Sequence, residues 1–342
     1  MRIVHCLIQY MPRHIAGTEI YTHTLAKMQQ QQGNTVAVLV PFVTHYRAND
    51  FVPRYEYDGV AVYQFKETAN PLNRDLYSGK KLPEGLDDFA AVLEALQPDV
   101  IHFHELNRSV GITAAHVKRA SSVGAKIILT MHLSFLTCAT NTLVRNNQLC
   151  DGLIRTVRCA ACTLHTQNAI PYFLALPVAA GSSLLVSSGI SNALPAGRFK
   201  TMLQLPLTVK RIKAELKLLE QYVHQFVSLT QWYRQVLLDN NLPPAKITVI
   251  PAGLALTKHT GDAVWSPAQP GQPLKLVFIG RVQPQKGVHL LIEAAKQFNS
   301  RQLQVFIYGR AEKDTYYAHC VALSQQCAHV HWMGFVEREA VV

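Results

Sequence analysis

Apolar and polar positions in this chain follow two periods that take turns. Ile3–Ile8 is a short apolar run of strand length, and Gly17–Gln32 then places Ile20, Thr24, Leu25 and Met28 on one helical face before Gly33 stops it. Thr35–Val40 predicts a second strand, Val60–Phe65 an edge strand, Leu86–Leu96 a helix, and Pro98–His104 a strand that reaches the C-terminal edge of the sheet. A helix near Val110–Ser121 and a strand over Lys126–Thr130 continue the series. After an interruption come a strand at Phe226–Leu229, a helix at Trp232–Asn240 and a strand at Lys246–Ile250. Leu274–Ile279 reads as a buried strand, followed by a helix with Val288, Leu291, Ile292 and Ala295 on one face. Such alternation predicts an α/β fold, with parallel sheets covered by helices on both faces.

The interruption has its own composition. Residues 131–165 form a cysteine-rich insertion, and Cys159–Gly197 contains no Asp, Glu, Lys or Arg. Six cations and one carboxylate follow between Arg198 and Lys217. Trp265–Pro273, rich in Pro and polar residues, reads as a linker. The expected division is a first domain over 1–256, a linker over 257–273 and a second domain over 274–342. Ligands of open parallel sheets bind beyond the strand C-termini, so a cleft between two such domains is the expected site.

At 342 residues the chain is long enough for two cores, and its formal charge of +11 calls for an anionic partner. A nucleotide and an anionic lipid surface both qualify; no nucleic-acid reading motif is present, so nucleic acid is not expected. Met1–Ile8 is too short and too quickly interrupted for a signal peptide, and seven unevenly spaced cysteines argue against a disulfide framework, which together suggest a cytoplasmic protein. Cys138, Cys150, Cys159 and Cys162 stand within twenty-five residues, the last pair at zinc-knuckle spacing. They fit a structural zinc site, and equally a set of free or redox-active thiols. Ile170–Val186 is apolar enough to test as a membrane span, although two prolines, Gly181 and its serines weaken that reading. Peripheral contact with anionic headgroups suits the cations just beyond it, Arg198, Lys200, Lys210, Arg211 and Lys213; a helix pair packed on the domain is the other reading.

The densest chemistry lies at Gly280-Arg281-Val-Gln-Pro-Gln-Lys286-Gly287, a turn between a strand and a helix. It lacks the Gly-x-Gly-x-x-Gly and P-loop patterns, yet a helix N-terminus with Arg and Lys beside it can hold a diphosphate. A surface turn with two solvated cations fits the same eight residues. The turn resembles the Gly-Arg-x4-Lys-Gly element of retaining glycosyltransferases of the GT-B fold, family 4. Further segments are similar to motifs of that family in the same order: Ala16–Tyr21, Pro98-Asp-Val-Ile-His102-Phe-His104-Glu105, His132 after Ile127–Met131, Phe226–Arg234 and Ile247–Gly253.

The resemblance implies two Rossmann-like doubly wound domains, the second incomplete here and the first carrying the cysteine-rich insertion. It implies a nucleotide-diphosphate sugar donor, held by Gly17, Gly280, Arg281, Lys286 and Gly309. His104, Arg281 and Lys286 are the expected catalytic residues, with Glu19 and His132 on the acceptor side. No cofactor is expected for catalysis. The acceptor would be a saccharide or a lipid-linked saccharide, as in polysaccharide biosynthesis, with retained anomeric configuration and peripheral attachment to the inner face of the membrane. Ala16, Ala252 and Ala255 stand where the family has Gly, Asn and Asp. The paired glutamates the family carries after the Arg have no counterpart among Glu293, Glu312, Asp314, Glu337 and Glu339, which leads to the expectation of a truncated chain with weak transfer. A sugar-nucleotide epimerase and a non-catalytic sugar-nucleotide or membrane-surface binder are the alternatives.

Overall fold

The computed structural model describes residues 1–43, 51–67, 81–108, 111–145, 148–168, 170–188, 197–253, 271–310 and 315–336. Most of the expected linker (257–270) lies outside them, as do Val110, Ala255, Glu312, Asp314, Glu337 and Glu339. The chain divides into two compact units, Met1–Ala255 and Leu256–Val342.

The first unit is built on an eight-stranded sheet, ordered β10-β9-β6-β5-β1-β2-β4-β3. Its strands are β1 (Arg2–Leu7), β2 (Thr35–Val43), β3 (Arg54–Tyr57), β4 (Val60–Glu67), β5 (Val100–His104), β6 (Lys126–Met131), β9 (Gln225–Ser228) and β10 (Ile247–Val249). All pair in parallel except β3, which runs antiparallel to β4. Val60–Phe65 was expected at an edge; β3 takes that place and leaves β4 paired on both sides. The chain leaves β1 toward β2 and returns on its other flank as β5. The strand order therefore reverses between β1 and β5, and their C-terminal ends are where a doubly wound sheet binds ligands.

One sheet face packs Val4, Cys6, Ile101, Phe103, Ile127 and Leu129 into a large apolar core with Phe89 and Leu93 of helix α2 (Leu86–Leu96) and Val117 of α3 (Ala114–Ala120). On the other face, Ile3, Leu7, Val36 and Val38 meet Ala26 of helix α1 (Gly17–Gln31). The inner face of α1 differs from the expected one. Glu19, Thr22 and Ala26 are buried, while Met28 is exposed. The reason is what α1 covers: His5, His102 and His104 project from β1 and β5, and a helix above them needs polar or small groups.

The insertion forms a hairpin, β7 (Val144–Arg145) with β8 (Gln148–Leu149), followed by helices α4 (Thr156–Asn168), α5 (Tyr172–Ser187), α6 (Arg198–Leu203) and α7 (Leu205–Tyr222). Helix α5 packs a stripe of small residues, Ala175, Ala179 and Ser182, and turns its large apolar residues outward. No helix among the described residues is long and apolar enough to cross a membrane. Helix α8 (Gln231–Asp239) then connects β9 to β10.

The second unit has a parallel sheet ordered β11-β12-β13: Leu274–Ile279, Leu303–Tyr308 and Val330–Gly334. Helices α9 (Val288–Ala295) and α10 (Thr315–Ser324) cover it, with Val288, Ile292, Val305, Ile307 and Cys320 in the core. The apolar run Leu274–Ile279 was expected to be buried. It forms an edge strand with Leu274, Val277 and Ile279 exposed, and β12 is the central strand.

Candidate functional site

In the first unit, the groups at the β1/β5 switch point form one continuous polar network. His5 lies in β1 and His102 and His104 in β5, all on the face beneath α1. Parallel registry places His5 beside His102, and their ring centroids are 5.3 Å apart. His5 Nδ1 is 2.9 Å from His104 Nε2, and His5 Nε2 is 2.7 Å from Gln29 Oε1 on α1. His104 Nδ1 lies 3.3 Å from His132 Nε2, and His102 Nε2 is 2.7 Å from the Thr130 hydroxyl.

With the Gln29 amide oxygen toward His5, the protons in this chain are ordered. His5 donates from Nε2 to Gln29, so its Nδ1 accepts from His104 Nε2–H. His104 Nδ1 in turn accepts from His132 Nε2–H. Every member is then neutral, as burial demands. Burial lowers His5 and His132 to about 4. Burial, reinforced by the neighbouring imidazoles, holds His102 and His104 well below the ordinary histidine value.

His104, expected to touch the sugar, is fully buried with both nitrogens engaged. His132 is the partly exposed end of the chain, with the Tyr21 ring packed edge-on at 4.9 Å. Among the described residues, His5, His102 and His104 are also the only group of His, Cys, Asp or Glu with three candidate metal-ligand atoms within 4.8 Å. A metal there would have to replace the hydrogen bonds that hold the three rings.

Two carboxylates border this network. Glu105 directly follows β5, with φ at +66°, a left-handed conformation that costs a non-glycine residue about 1 kcal/mol or more. Burial raises its carboxyl to about 7, helped by the nearby charge of Glu19 and opposed by a hydrogen bond from Thr18. Glu19 lies in the first turn of α1; one oxygen is 3.2 Å from His14 Nδ1, and the other, Oε2, is buried without a hydrogen-bond partner. Ala16 at the N-cap of α1 supplies no side-chain acceptor. Among the described residues a Cβ on Gly17 would meet nothing within 4 Å, so no contact among them requires glycine there. Glu105 stands at the end of the Pro98–Glu105 segment without an expected role; its signal lies in the backbone conformation and in the charge of Glu19 nearby. The Ser228 hydroxyl is spent on the Thr230 carbonyl, 2.9 Å away.

The second unit presents the opposite chemistry. Gly280–Gly287 joins β11 to α9 through a short 3₁₀ turn, Pro284–Lys286, and Gly287 at the N-cap of α9 has φ +70°. Arg281 and Lys286 are exposed, and neither forms an ion pair among the described residues. Between them Val282 is buried and donates its N–H to the Arg310 carbonyl, which anchors the turn to the strand end. A Cβ on Gly309 would stand 1.8 Å from the Gly280 carbonyl oxygen, so the ends of β11 and β12 approach as closely as they do only with glycine at 309.

The four insertion cysteines line one small cavity. All seven cysteines of the chain are free thiols.

Comparison with known proteins agrees with both halves. The family model described as a glycosyl transferase 4-like domain matches residues 16–175, and the model for glycosyl transferases group 1 matches residues 262–342. No curated protein matches the chain. Among solved structures, Anabaena HepE in complex with UDP is similar at 12% identity and a TM-score of 0.54, covering 98% of this chain and 70% of that one. The apo lipopolysaccharide outer core galactosyltransferase WaaB is similar at 10% identity and a TM-score of 0.51, covering 100% and 70%. An E. coli structure described as trehalose-6-phosphate bound with UDP-2-fluoro glucose is similar at 11% identity and a TM-score of 0.52, covering 100% and 75%. With both models matched in chain order, together over most of the chain, the chain belongs to the family 4, group 1 glycosyltransferases of the GT-B fold.

Proposed function

We propose that the protein transfers a sugar from a nucleoside-diphosphate donor to a saccharide or lipid-linked acceptor, with retention of anomeric configuration. The observation that carries this reading is the exposed pair Arg281 and Lys286, without ion pairs among the described residues and fixed at the start of α9 by the buried Val282. A guanidinium and an ammonium at a helix N-terminus match the charge that grows on a departing diphosphate. HepE has been solved in complex with UDP, which supports a uridine nucleotide as the first donor to test.

On the acceptor side, His132 is the group that meets the sugar, and His104 and His5 hold it in one tautomer. A neutral imidazole orients a hydroxyl without adding positive charge beside an oxocarbenium-like centre. Glu105 and Glu19 accept hydrogen bonds from acceptor hydroxyls, and Gly17 leaves room for the donor at the uncapped end of α1. The acceptor is lipid-linked in this reading, and helix α5 is the support. Phe173, Leu174, Val178 and Leu184 are exposed on a helix without charges, and Lys200, Lys210 and Lys213 follow it. Docking on an anionic bilayer would bury these side chains.

The test is donor consumption measured with and without acceptor, in the native chain and in Arg281→Glu. Transfer that requires acceptor and is lost in the variant supports the reading. Epimerised free donor without acceptor would assign an epimerase instead, and binding without consumption a non-catalytic binder. Flotation with vesicles containing anionic lipid, compared between the native chain and Phe173→Ser/Leu184→Ser, tests the membrane surface separately.

A further inference from the structure

The hairpin of the cysteine-rich insertion is too short to hold itself together. It has two residues in each strand, and Val144 and Leu149 are exposed. A hairpin of that length is not stable on its own. Its two ends are nevertheless pinned. Arg108, itself buried, donates to the carbonyls of Phe135 and Cys138, the latter at 3.1 Å. Downstream, Asn240, the C-cap of α8, donates to the Gly152 carbonyl at 2.9 Å and accepts from the Ile154 N–H at 3.0 Å. Gly152 has φ +73° and its absent Cβ would strike Val236, so the segment lies flush against α8.

The four thiols lie at and just beyond these anchors, around one cavity. Cys138 precedes the hairpin, Cys150 closes it through an N–H bond to the Leu143 carbonyl at 2.7 Å, and Cys159 and Cys162 stand one turn apart on α4. All four line a single cavity of about 20 Å³, room for one ion or one water. We propose that Cys138, Cys150, Cys159 and Cys162 hold a structural zinc ion that fastens the hairpin to α4. A loop pair and a helical Cys-x-x-Cys pair supply the four thiolates of a closed tetrahedral site.

The present bonds of the thiols are weak ones that a metal would replace. Cys159 Sγ contacts the Leu153 carbonyl at 3.7 Å, and Cys162 Sγ the Val144 carbonyl at 3.7 Å. Tetrahedral zinc needs sulfur atoms about 3.8 Å apart, from a Zn–S bond of about 2.3 Å. The thiols are not yet gathered so closely, since among the described residues only the histidine trio brings three ligand atoms within 4.8 Å. Zinc loading would draw the four Sγ atoms together. The Arg155 N–H already points at Cys159 Sγ, 3.4 Å away, and the Arg158–Asp151 ion pair, at 2.7 Å, stands beside the cluster with Asp151 accepting from Cys150 Sγ at 3.5 Å. Loading would release the thiol protons, leaving a Zn(Cys)₄ centre of net charge −2. This inference is independent of the transferase reading.

The full chain, purified under reducing conditions without chelator, is expected to contain one zinc by emission spectrometry. The Cys159→Ser/Cys162→Ser variant should lose it, while Cys327→Ala, in the second unit, should keep it. Cobalt substitution should give the intense visible bands and near-ultraviolet thiolate transitions of a tetrahedral sulfur site. Treating the native chain with a zinc chelator keeps the test clear of variant misfolding: hydrogen-exchange protection should fall over residues 138–164 and persist in β1, β5 and β6. Folded chain that takes up no stoichiometric zinc even after anaerobic loading would overturn the proposal. So would a cobalt spectrum without thiolate transitions, or intact-mass evidence that the four cysteines are paired as disulfides in the protein as purified.

Discussion

At the strand ends of the first unit, polar side chains face inward and satisfy one another: Gln29, His5, His104 and His132 form a chain in which only the last imidazole reaches the surface. At the strand end of the second unit, Arg281 and Lys286 are exposed, without ion pairs among the described residues. A transferase needs both arrangements. A group that orients a substrate works through rigidity, which a buried and fully bonded network provides. A group that grips a diphosphate must keep its hydrogen bonds free for the ligand.

The largest test of this contrast is acid. The folded-state values of His5 and His132, about 4, lie below the ordinary 6.5, so their contribution is present above pH 6.5 and is lost as pH falls through the folded value. His5 alone accounts for about 3 kcal/mol over that window, and His102 and His104 shift in the same direction. Hydrogen exchange at pH 5 should show β1, β5 and β6 losing protection, relative to pH 7.5, by more than β12 does. Equal losses in both sheets would remove the contrast.

Arg281→Glu comes next. It should weaken UDP binding at least 100-fold, about 3 kcal/mol, by calorimetry, and leave the unfolding midpoint nearly unchanged, because the side chain supports nothing in the fold. Gly309→Ala should act on stability first. A methyl group 1.8 Å from the Gly280 carbonyl forces the two strand ends apart, destabilising the second unit by roughly 3 kcal/mol in denaturant titrations. Gln29→Leu should cost about 2 kcal/mol by leaving the His5 N–H buried and unpaired, and Gln29→Glu should not reproduce the native pH profile of transfer.

The smallest effect belongs to Glu105. A carboxyl raised to about 7 contributes stability below its ordinary value of 4.5, and that contribution is lost as pH rises through 7. Glu105→Gln should therefore gain roughly 1–2 kcal/mol over the native chain at pH 8, and little at pH 4, by thermal unfolding at the two values. The change would also reveal whether the Glu105 charge is needed for transfer.

Much of this was legible in advance, and the places where it was not share a cause. Leu86–Leu96 reads correctly because its apolar stripe meets an apolar sheet face. Gly17–Gln31 reads correctly as a helix but with a different face inward, because it covers histidines as well as valines. Leu274–Ile279 reads as buried from its composition, yet β12 occupies the centre of that sheet and leaves β11 at its edge. Helix α5 inverts the usual rule outright, small residues inward and large apolar ones outward, and no periodicity argument distinguishes that from a core helix. Among the site residues, Arg281 and Lys286 are local to one turn and visible as a motif. Glu105 is not visible, since its backbone strain and its closeness to Glu19 arise only when β5 and α1 are brought together.

The order of amino acids alone determined the alternation of strand and helix, the cationic turn at Gly280–Gly287, the spacing of the four cysteines and the family resemblance. Each is a property of residues near one another along the chain. Tertiary structure decided which imidazole is exposed, which carboxyl is held near neutrality and which thiols share a cavity. Those outcomes depend on burial and on partners from distant segments, such as His5 with His104 and Asn240 with Gly152. Desolvation and hydrogen bonding act on atoms in space, so their effects exist only once packing has chosen the neighbours.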